Sequence, residues 1–271
     1  MFSPHSEVLL SFIVFIESNR LENCYIALAA HNGSPHKTGM KKALIAGGSK
    51  GIGFGIAEVL VSNDWHVAIT GRDAQTLQHT VAQLNRIKEN HAIGLVADVR
   101  DAGQQQKGVE SIVQKWGQLN ALIANAGLGH FSSIENLTAE QWQQTIDTNL
   151  TGVFNSVKAS IEALKKTKGY IITIGSLAGA NFFAGGSAYN ASKFGLLGFT
   201  QAIMLDLRPY QIKVSTIMPG SVASEFNNHL PNDKDGWKIQ PEDIGELVVD
   251  LLKMNPRTLP SKIEVRPSLP K

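Results

Sequence analysis

Tyr189 and Lys193, in the stretch Tyr-Asn-Ala-Ser-Lys, are four residues apart. On a helix that spacing puts both side chains on one face. A tyrosine is a poor acid–base group near neutral pH, its phenol having an unperturbed pKa of about 10. A nearby ammonium stabilises the phenolate and lowers that value. Thirteen residues upstream, Ser176 adds a hydroxyl behind the apolar run Ile-Ile-Thr-Ile. Alone, a Tyr and a Lys at this spacing read equally as an ordinary surface pair, and a serine after a strand is commonplace.

A second chemical feature is Gly47-Gly48-Ser49-Lys50-Gly51-Ile52-Gly53, placed between an apolar run and an amphipathic segment. A strand-turn-helix of this kind needs glycines for tight curvature and for close approach of backbone to a pyrophosphate. The helix N-terminus then offers unpaired N–H groups to phosphate. The turn therefore predicts dinucleotide binding, with a purely structural loop as the alternative. The second apolar run ends in Thr70-Gly71-Arg72-Asp73. A guanidinium at that point suits a 2′-phosphate, and Lys50 offers a second positive charge. The reading favours NADP(H) over NAD(H). NAD(H) stays open, because both cations also fit an ordinary surface and Asp73 is placed to touch a ribose.

These groups need a frame. Short apolar runs recur at Ala43–Ala46, Val67–Thr70, Ile93–Ala97, Ala121–Ala124, Tyr170–Ile174, Val214–Met218 and Ile263–Val265. Apolarity without strict alternation suits strands covered on both faces of a parallel sheet. Longer amphipathic segments fill the gaps. One opens at Thr138, where Thr138 and Gln141 have capping-box spacing. Another begins around Tyr189 and stops near Pro209. The alternation predicts a single-domain α/β Rossmann fold: a doubly wound parallel sheet of about seven strands with helices on both faces.

In order and spacing, Gly47-x-x-x-Gly51-Ile52-Gly53, Asn125-Ala126-Gly127, Asn149, Ser176, Tyr189-x-x-x-Lys193 and Pro219-Gly220 together resemble the short-chain dehydrogenase/reductase family. The resemblance spans residues 41 to 271. It implies an NAD(P)-dependent oxidoreductase that interconverts a carbonyl and a secondary alcohol by hydride transfer. By resemblance, Tyr189 is the general acid/base and Lys193 lowers its pKa and holds the nicotinamide ribose. Ser176 orients the substrate oxygen, and Asn149 holds a water of the proton relay. Gly47, Ser49, Lys50, Gly51, Ile52, Gly53 and Arg72 then line the cofactor. Asp98 and Val99 correspond to adenine contacts, with a helix cap as the plainer reading of Asp98. Asn125, Ala126 and Gly127 resemble the turn that closes over the cofactor. Pro219, Gly220, Val222 and Ser224 resemble the segment facing the nicotinamide. Three positions depart from the family pattern: Ala46 and Ala124 stand where threonine and asparagine are usual, and Ser224 where threonine is usual. None removes a catalytic group.

The expected substrate is a small-molecule carbonyl compound or alcohol. Leu128 to Phe131, Leu177, Phe182, Phe183 and Phe226 are expected to border an apolar or aromatic pocket. A 3-oxoacyl thioester reductase is the alternative enzyme, and a non-catalytic NADP-sensing regulator the alternative of another class. A methyltransferase has no use for Tyr189 and Lys193, and a sugar-nucleotide epimerase needs a larger substrate domain. Kinship implies a homodimer or homotetramer, associating through helices around 139–166 and 189–207; a gel-filtration mass at the monomer value would refute it.

The totals fit this reading. The 271 residues suit one large α/β domain, and 43% are hydrophobic, enough for a substantial core. A net charge of +2 gives no pointer to nucleic acid or an acidic membrane. The single cysteine, Cys24, excludes a disulfide framework and makes the cytoplasm the expected location. The eight histidines lack metal-ligand spacing, so no metal is expected. Val8 to Ile16 is too short to span a bilayer, and Glu7 before it has the wrong charge for a signal peptide. Residues 1–39 contain none of the motifs. They are expected to be a dispensable extension, poorly ordered or arising from a misassigned start, with Met40 as the natural initiator and 40–271 as the catalytic domain. A targeting or oligomerisation arm is the alternative.

Overall fold

All seven expected apolar runs become strands of one parallel sheet. In the computed structural model, which describes residues 40–269, the strands are β1 (Lys42–Ala46), β2 (His66–Gly71), β3 (Ala92–Val96), β4 (Ala121–Ala124), β5 (Tyr170–Ile174), β6 (Lys213–Pro219) and β7 (Lys262–Val265). Their order across the sheet is β3-β2-β1-β4-β5-β6-β7. Ala43 to Ala46 of β1 pair with Ala121 to Ala124 of β4. On its other side β1 pairs Lys42 to Ile45 with His66 to Ile69 of β2. Met40 to Lys271 form one compact unit. The expectations for residues 1–39 lie outside the described residues.

Among the described residues seven α-helices cross between the strands: α1 (Gly51–Ser62), α2 (Ala74–Ile87), α3 (Ala102–Trp116), α4 (Ala139–Ile146), α5 (Gly152–Thr167), α6 (Ser187–Leu207) and α7 (Pro241–Lys253). Side chains alternate across a strand, so each strand feeds two cores. Ala43, Ile45, Val67, Ile69 and Ile123 pack with Ile56 and Leu60 of α1, Leu77 and Leu84 of α2, and Ile244 and Val248 of α7. Leu44, Ala68, Leu122 and Ile171 pack on the opposite face with Ile112 of α3, Val157 and Leu164 of α5, and Leu196 of α6. Each fully buried Leu or Ile contributes about 1.5–3 kcal/mol relative to exposure. Burial on both faces does not hold at the sheet edges. In β3, Gly94 and Val96 are exposed, and β7 alternates, because each edge strand has covering elements on fewer sides.

Local chemistry sets the helix ends. Asp73 caps α2, its carboxylate accepting from the Thr76 N–H at 2.7 Å, and Asp101 caps α3 through the Gln104 N–H at 3.0 Å. The Thr138–Gln141 capping box forms as expected at the start of α4. α6 gives way to a single 3₁₀ turn, Arg208–Tyr210, that contains Pro209. The winding of the sheet reverses between β1 and β4, which opens a crevice at the carboxyl ends of the strands. Each loop carrying an expected site residue leaves the carboxyl end of its strand. The sheet thus delivers residues from 47 to 224 to one edge.

Candidate active site

The turn after β1 is built so tightly that side chains are excluded. Gly47 has φ +74, and a Cβ there would meet the Ala126 Cα at 2.8 Å. A Cβ on Gly53 would lie 2.3 Å from the Gly47 carbonyl oxygen. The Asn125 side chain donates to that same oxygen at 2.7 Å, and the Gly47 N–H reaches the Thr70 hydroxyl at 3.3 Å. Thr70 was not singled out from the sequence. The extended N-cap residue of α1, Lys50, supplies no side-chain cap, so the first-turn N–H groups remain available to an anion.

Arg72, at the carboxyl end of β2, is exposed and forms no ion pair among the described residues. Asp73, the competing ribose ligand, has its Oδ1 engaged by the N–H and the hydroxyl of Thr76, at 2.7 and 2.6 Å. Asp98 is not the helix cap its plainer reading gave, since Asp101 fills that role. Its carboxylate takes the Arg100 guanidinium in a fork at 2.6–3.1 Å, and these hydrogen bonds hold its pKa below the usual range. Val99 is buried, so close to α5 that a Cβ on Gly152 would meet its Cγ2 at 2.6 Å.

Ser176, Tyr189 and Lys193 come together at the carboxyl end of β5. Ser176 caps the 3₁₀ turn Leu177–Gly179, its Oγ accepting from the Ala178 N–H at 3.1 Å. Asn190 fixes the same turn by donating to the carbonyls of Ala178 and Asn181 at 2.7 and 2.8 Å. Lys193 is 5% exposed; its Nζ donates to the Ile174 carbonyl at 3.0 Å and lies 5.7 Å from the Tyr189 ring centroid. Burial lowers its pKa from 10.5 to about 8. Burial also pushes the Tyr189 phenol above its ordinary value, opposed by a hydrogen bond with Ser176. The lowering expected from a neighbouring cation does not arise in the polypeptide itself, where burial sets the direction. Burial therefore favours the neutral phenol over the phenolate.

Asn149 is fully buried, in a π-helical turn (Asp147–Thr151) that joins α4 to α5. Its Oδ1 accepts from the Leu128 N–H at 2.8 Å, and its Nδ2 donates to the Leu128 carbonyl at 2.8 Å and the Ser192 hydroxyl at 3.0 Å. The side chain thus clamps the loop after β4 to α6. A π turn also shifts the bonding register, the Gly152 N–H reaching the Asp147 carbonyl five residues back. Neither the π turn nor Ser192 was read from the sequence. Ser192 does stand three residues after Tyr189, a helical spacing that puts it beside the same site.

The segment after β6 folds back over the glycine turn. Ala223 N–H bonds the Ile239 carbonyl at 2.9 Å, and Ile239 N–H bonds the Ser221 carbonyl at 3.1 Å. In a parallel bridge that pattern points the N–H and C=O of Val222 away from Ile239, toward the cleft side. Ser224 is buried, 3.3 Å from where a Gly51 Cβ would be, with a Glu225 oxygen at 3.4 Å from the same point. Gly220 N–H bonds Val265 at 2.8 Å, fixing the turn after Pro219. Gly127 lies close to both Asn149 and Lys193: a Cβ there would be 3.3 Å from Asn149 Oδ1 and 3.7 Å from Lys193 Nζ.

Above Tyr189 sit three phenylalanines. Phe131 packs edge-on to Tyr189 with centroids 5.3 Å apart, and Phe226 lies 5.7 Å from it. Phe183 backs Phe131 at 5.8 Å. Phe182, expected at the pocket, is 86% exposed and takes no part in this cluster. A separate groove of about 370 Å³ between α3 and α5 reaches Gly117 and Gln118, at the amino end of β4 and so away from this chemistry.

The glycine cradle, the uncapped helix start and the unpaired Arg72 fit the phosphates of a dinucleotide. Residues 41–235 match the family described as short chain dehydrogenase. The chain is 35% identical over 223 residues to trans-4-hydroxycyclohexanecarboxylate dehydrogenase of Sinomonas cyclohexanicum, covering 78% of this chain and 85% of the relative. It is 30% identical over 194 residues to the 3-oxoacyl-(acyl-carrier-protein) reductase FabG of Staphylococcus aureus strain Mu50, covering 71% and 79%. The structure of an alcohol dehydrogenase from Thermococcus sibiricus complexed with 5-hydroxy-NADP superposes with a TM-score of 0.81 at 26% identity, over 86% of this chain and 99% of that one.

Proposed function

The chain belongs to the short chain dehydrogenase family and is a nicotinamide-dependent oxidoreductase acting on a CH–OH group, and from that premise we propose that it is an NADP(H)-dependent reductase of small-molecule ketones. The observation that carries the reading is the convergence of Ser176, Tyr189 and Lys193 at one strand end, with Lys193 Nζ on the Ile174 carbonyl and burial favouring the neutral Tyr189 phenol. When bound, a nicotinamide supplies hydride to a carbonyl carbon or accepts it from a carbinol carbon.

The chain's own groups do the rest. Ser176 Oγ and the Tyr189 hydroxyl hold the carbonyl oxygen, and Tyr189 delivers its proton there as negative charge develops. The buried Lys193 ammonium stabilises the phenolate this leaves, because Coulomb attraction is strong where water is excluded. A water held by Asn149 and Lys193 returns the proton. The Asn149 side chain positions the site by clamping Leu128. The glycine turn and Ser49, Lys50 and Arg72 hold the dinucleotide phosphates. Asp98 and Val99 border the adenine, while Asn125 to Gly127 and Pro219 to Ser224 enclose the nicotinamide end. Arg72, lacking a carboxylate partner, supports preference for the 2′-phosphate.

The 3-oxoacyl thioester reading is kept because a relative of that description is 30% identical. A regulator that senses NADP without turnover has no use for the complete set Asn149, Ser176, Tyr189 and Lys193. Homo-oligomerisation through α4, α5 and α6 belongs to the same proposal, supported by the exposed Trp142, Phe154, Phe194 and Leu205 on those helices. So does a cytoplasmic location; no helix among the described residues is long and apolar enough to cross a membrane.

The test is Tyr189→Phe assayed with NADPH across ketones, quinones, sugars and 3-oxoacyl thioesters. Turnover is expected to fall by about 10²–10⁴-fold with NADPH binding retained. Near-normal turnover would overturn the assignment.

A further inference from the structure

We propose that Phe131 and Phe226 form an aromatic clamp over Tyr189 that selects an uncharged ring ketone over straight-chain and anionic carbonyl compounds. The proposal rests on the ketone-reducing reading above and names the substrate class of that same site.

Three rings from three separate segments meet here: Phe131 from the loop after β4, Tyr189 from α6 and Phe226 from the 3₁₀ turn after β6. Their centroids are 5.3, 5.7 and 6.3 Å apart, at interplanar angles of 69°, 54° and 63°. At these distances the three rings touch one another and together present one apolar face, with Phe131 and Phe226 partly open to solvent. Phe131 is 42% and Phe226 37% exposed. An aromatic or alicyclic ring laid on this face covers all three rings at once, whereas a chain of equal carbon number runs along it and covers less of each.

The two jaws are held differently. Phe131 is backed by Phe183, and the adjacent Ser132 N–H bonds the Gly185 carbonyl at 2.9 Å, joining the loops after β4 and β5 into one wall. Phe226 has no such backing ring; it borders Asn227, which has φ +57.

Charged and polar neighbours of the clamp are turned elsewhere. His130 pairs with Gln144 at 3.1 Å, and Glu225 sits over the glycine turn. His229 pairs with Asp235 at 2.6 Å, and Lys238 is drawn to the same carboxylate at 2.6 Å. Lys193 lies buried on the Ile174 carbonyl, on the protein side of the tyrosine. None of these cations is paired with a group on the ring face, so none is set to receive a substrate carboxylate there. The chemistry is unchanged: a hydride enters the ring carbonyl carbon, the Tyr189 proton reaches its oxygen, and NADPH leaves as NADP⁺.

The full-length protein with NADPH is assayed on cyclohexanone, 2-hexanone and 4-oxocyclohexanecarboxylate. The wild type is expected to show kcat/KM about tenfold higher for cyclohexanone than for either competitor. Phe131→Ala and Phe226→Ala should each lower the cyclohexanone value about tenfold, chiefly through KM, and the 2-hexanone value less than about threefold. Phe226→Tyr should restore the preference and Phe226→Leu should not. NADPH binding, followed by fluorescence, should be unchanged; where an alanine variant fails to bind it, the Tyr and Leu variants decide. Equal losses on ring and chain ketones, or a wild type that favours 2-hexanone or the anion, would overturn the clamp. A wild type that binds NADPH and reduces no carbonyl compound would instead overturn the functional reading beneath it.

Discussion

Replacing Lys193 by methionine should make the cofactor-free protein more stable while abolishing turnover. The ammonium is 5% exposed, and burial brings its pKa from 10.5 to about 8. At about 1.4 kcal/mol per tenfold change in proton affinity, holding that charge inside costs on the order of 3 kcal/mol at neutral pH. Methionine keeps much of the length and removes the charge. It also leaves the Ile174 carbonyl without its donor, which returns about 1–2 kcal/mol of destabilisation. The net expectation is a gain of about 1–2 kcal/mol, or roughly 2–8 °C in Tm for a domain of this size. The pH dependence has a fixed sign. Between about pH 8 and 10.5 the unfolded chain keeps a proton that the folded lysine has released, so wild-type stability climbs with pH. The variant's advantage is full below pH 8, shrinks across that window and is gone above it. Thermal denaturation of both proteins without cofactor, near neutrality and near pH 10, measures this. A variant less stable than wild type at neutrality, or an advantage that grows with pH, would refute the reasoning.

Two further outcomes follow from other charges. Arg72→Ala should weaken NADPH binding about tenfold and NADH binding less than about threefold, as measured by titration of each; equal losses would remove Arg72 from the 2′-phosphate. His66, stacked on His91 at 4.6 Å, has its pKa lowered to about 4, first by burial and then by Lys42 and His91. Stability from this group is present above the unfolded value near 6.5 and lost as pH falls toward 4. Because the ring is partly exposed, the loss is discounted to about 1 kcal/mol. In His66→Gln, urea denaturation should show that much less acid sensitivity between pH 6.5 and 4; an unchanged slope would contradict the assignment.

Much of this architecture is readable without coordinates because the central strands are short apolar runs bounded by turns. β4 and β5 start and end at the residues the runs gave, and the other five strands differ from theirs by one residue at one or both ends. The edge strands were the less legible, since coverage on both faces is a property of neighbours and not of Ile93 or Ile263 themselves. Within the site, the Tyr189–Lys193 spacing and the glycine turn are local patterns and could be seen. The direction of the Tyr189 pKa could not, because desolvation depends on which segments pack around the phenol. Likewise nothing in the string separates Phe182 from Phe183, although the backbone turns one to solvent and the other behind Phe131. Asp73, expected beside a ribose, caps α2, and Asp98, whose plainer reading was a cap, leaves that role to Asp101 for the same reason. Which acid caps a helix is decided by where the helix starts, to within a residue.

The bond from Asn125 to the Gly47 carbonyl spans 78 residues of chain. It forms only once β4 has docked beside β1, after two complete strand-helix units have already been laid down on the other side. An emerging chain that ends before Asn125 therefore carries every glycine of the turn but not its latch. A ligand that needs the latched turn stabilises only the polypeptide whose sheet has closed across its midline, so its binding is linked to the pairing of β1 with β4.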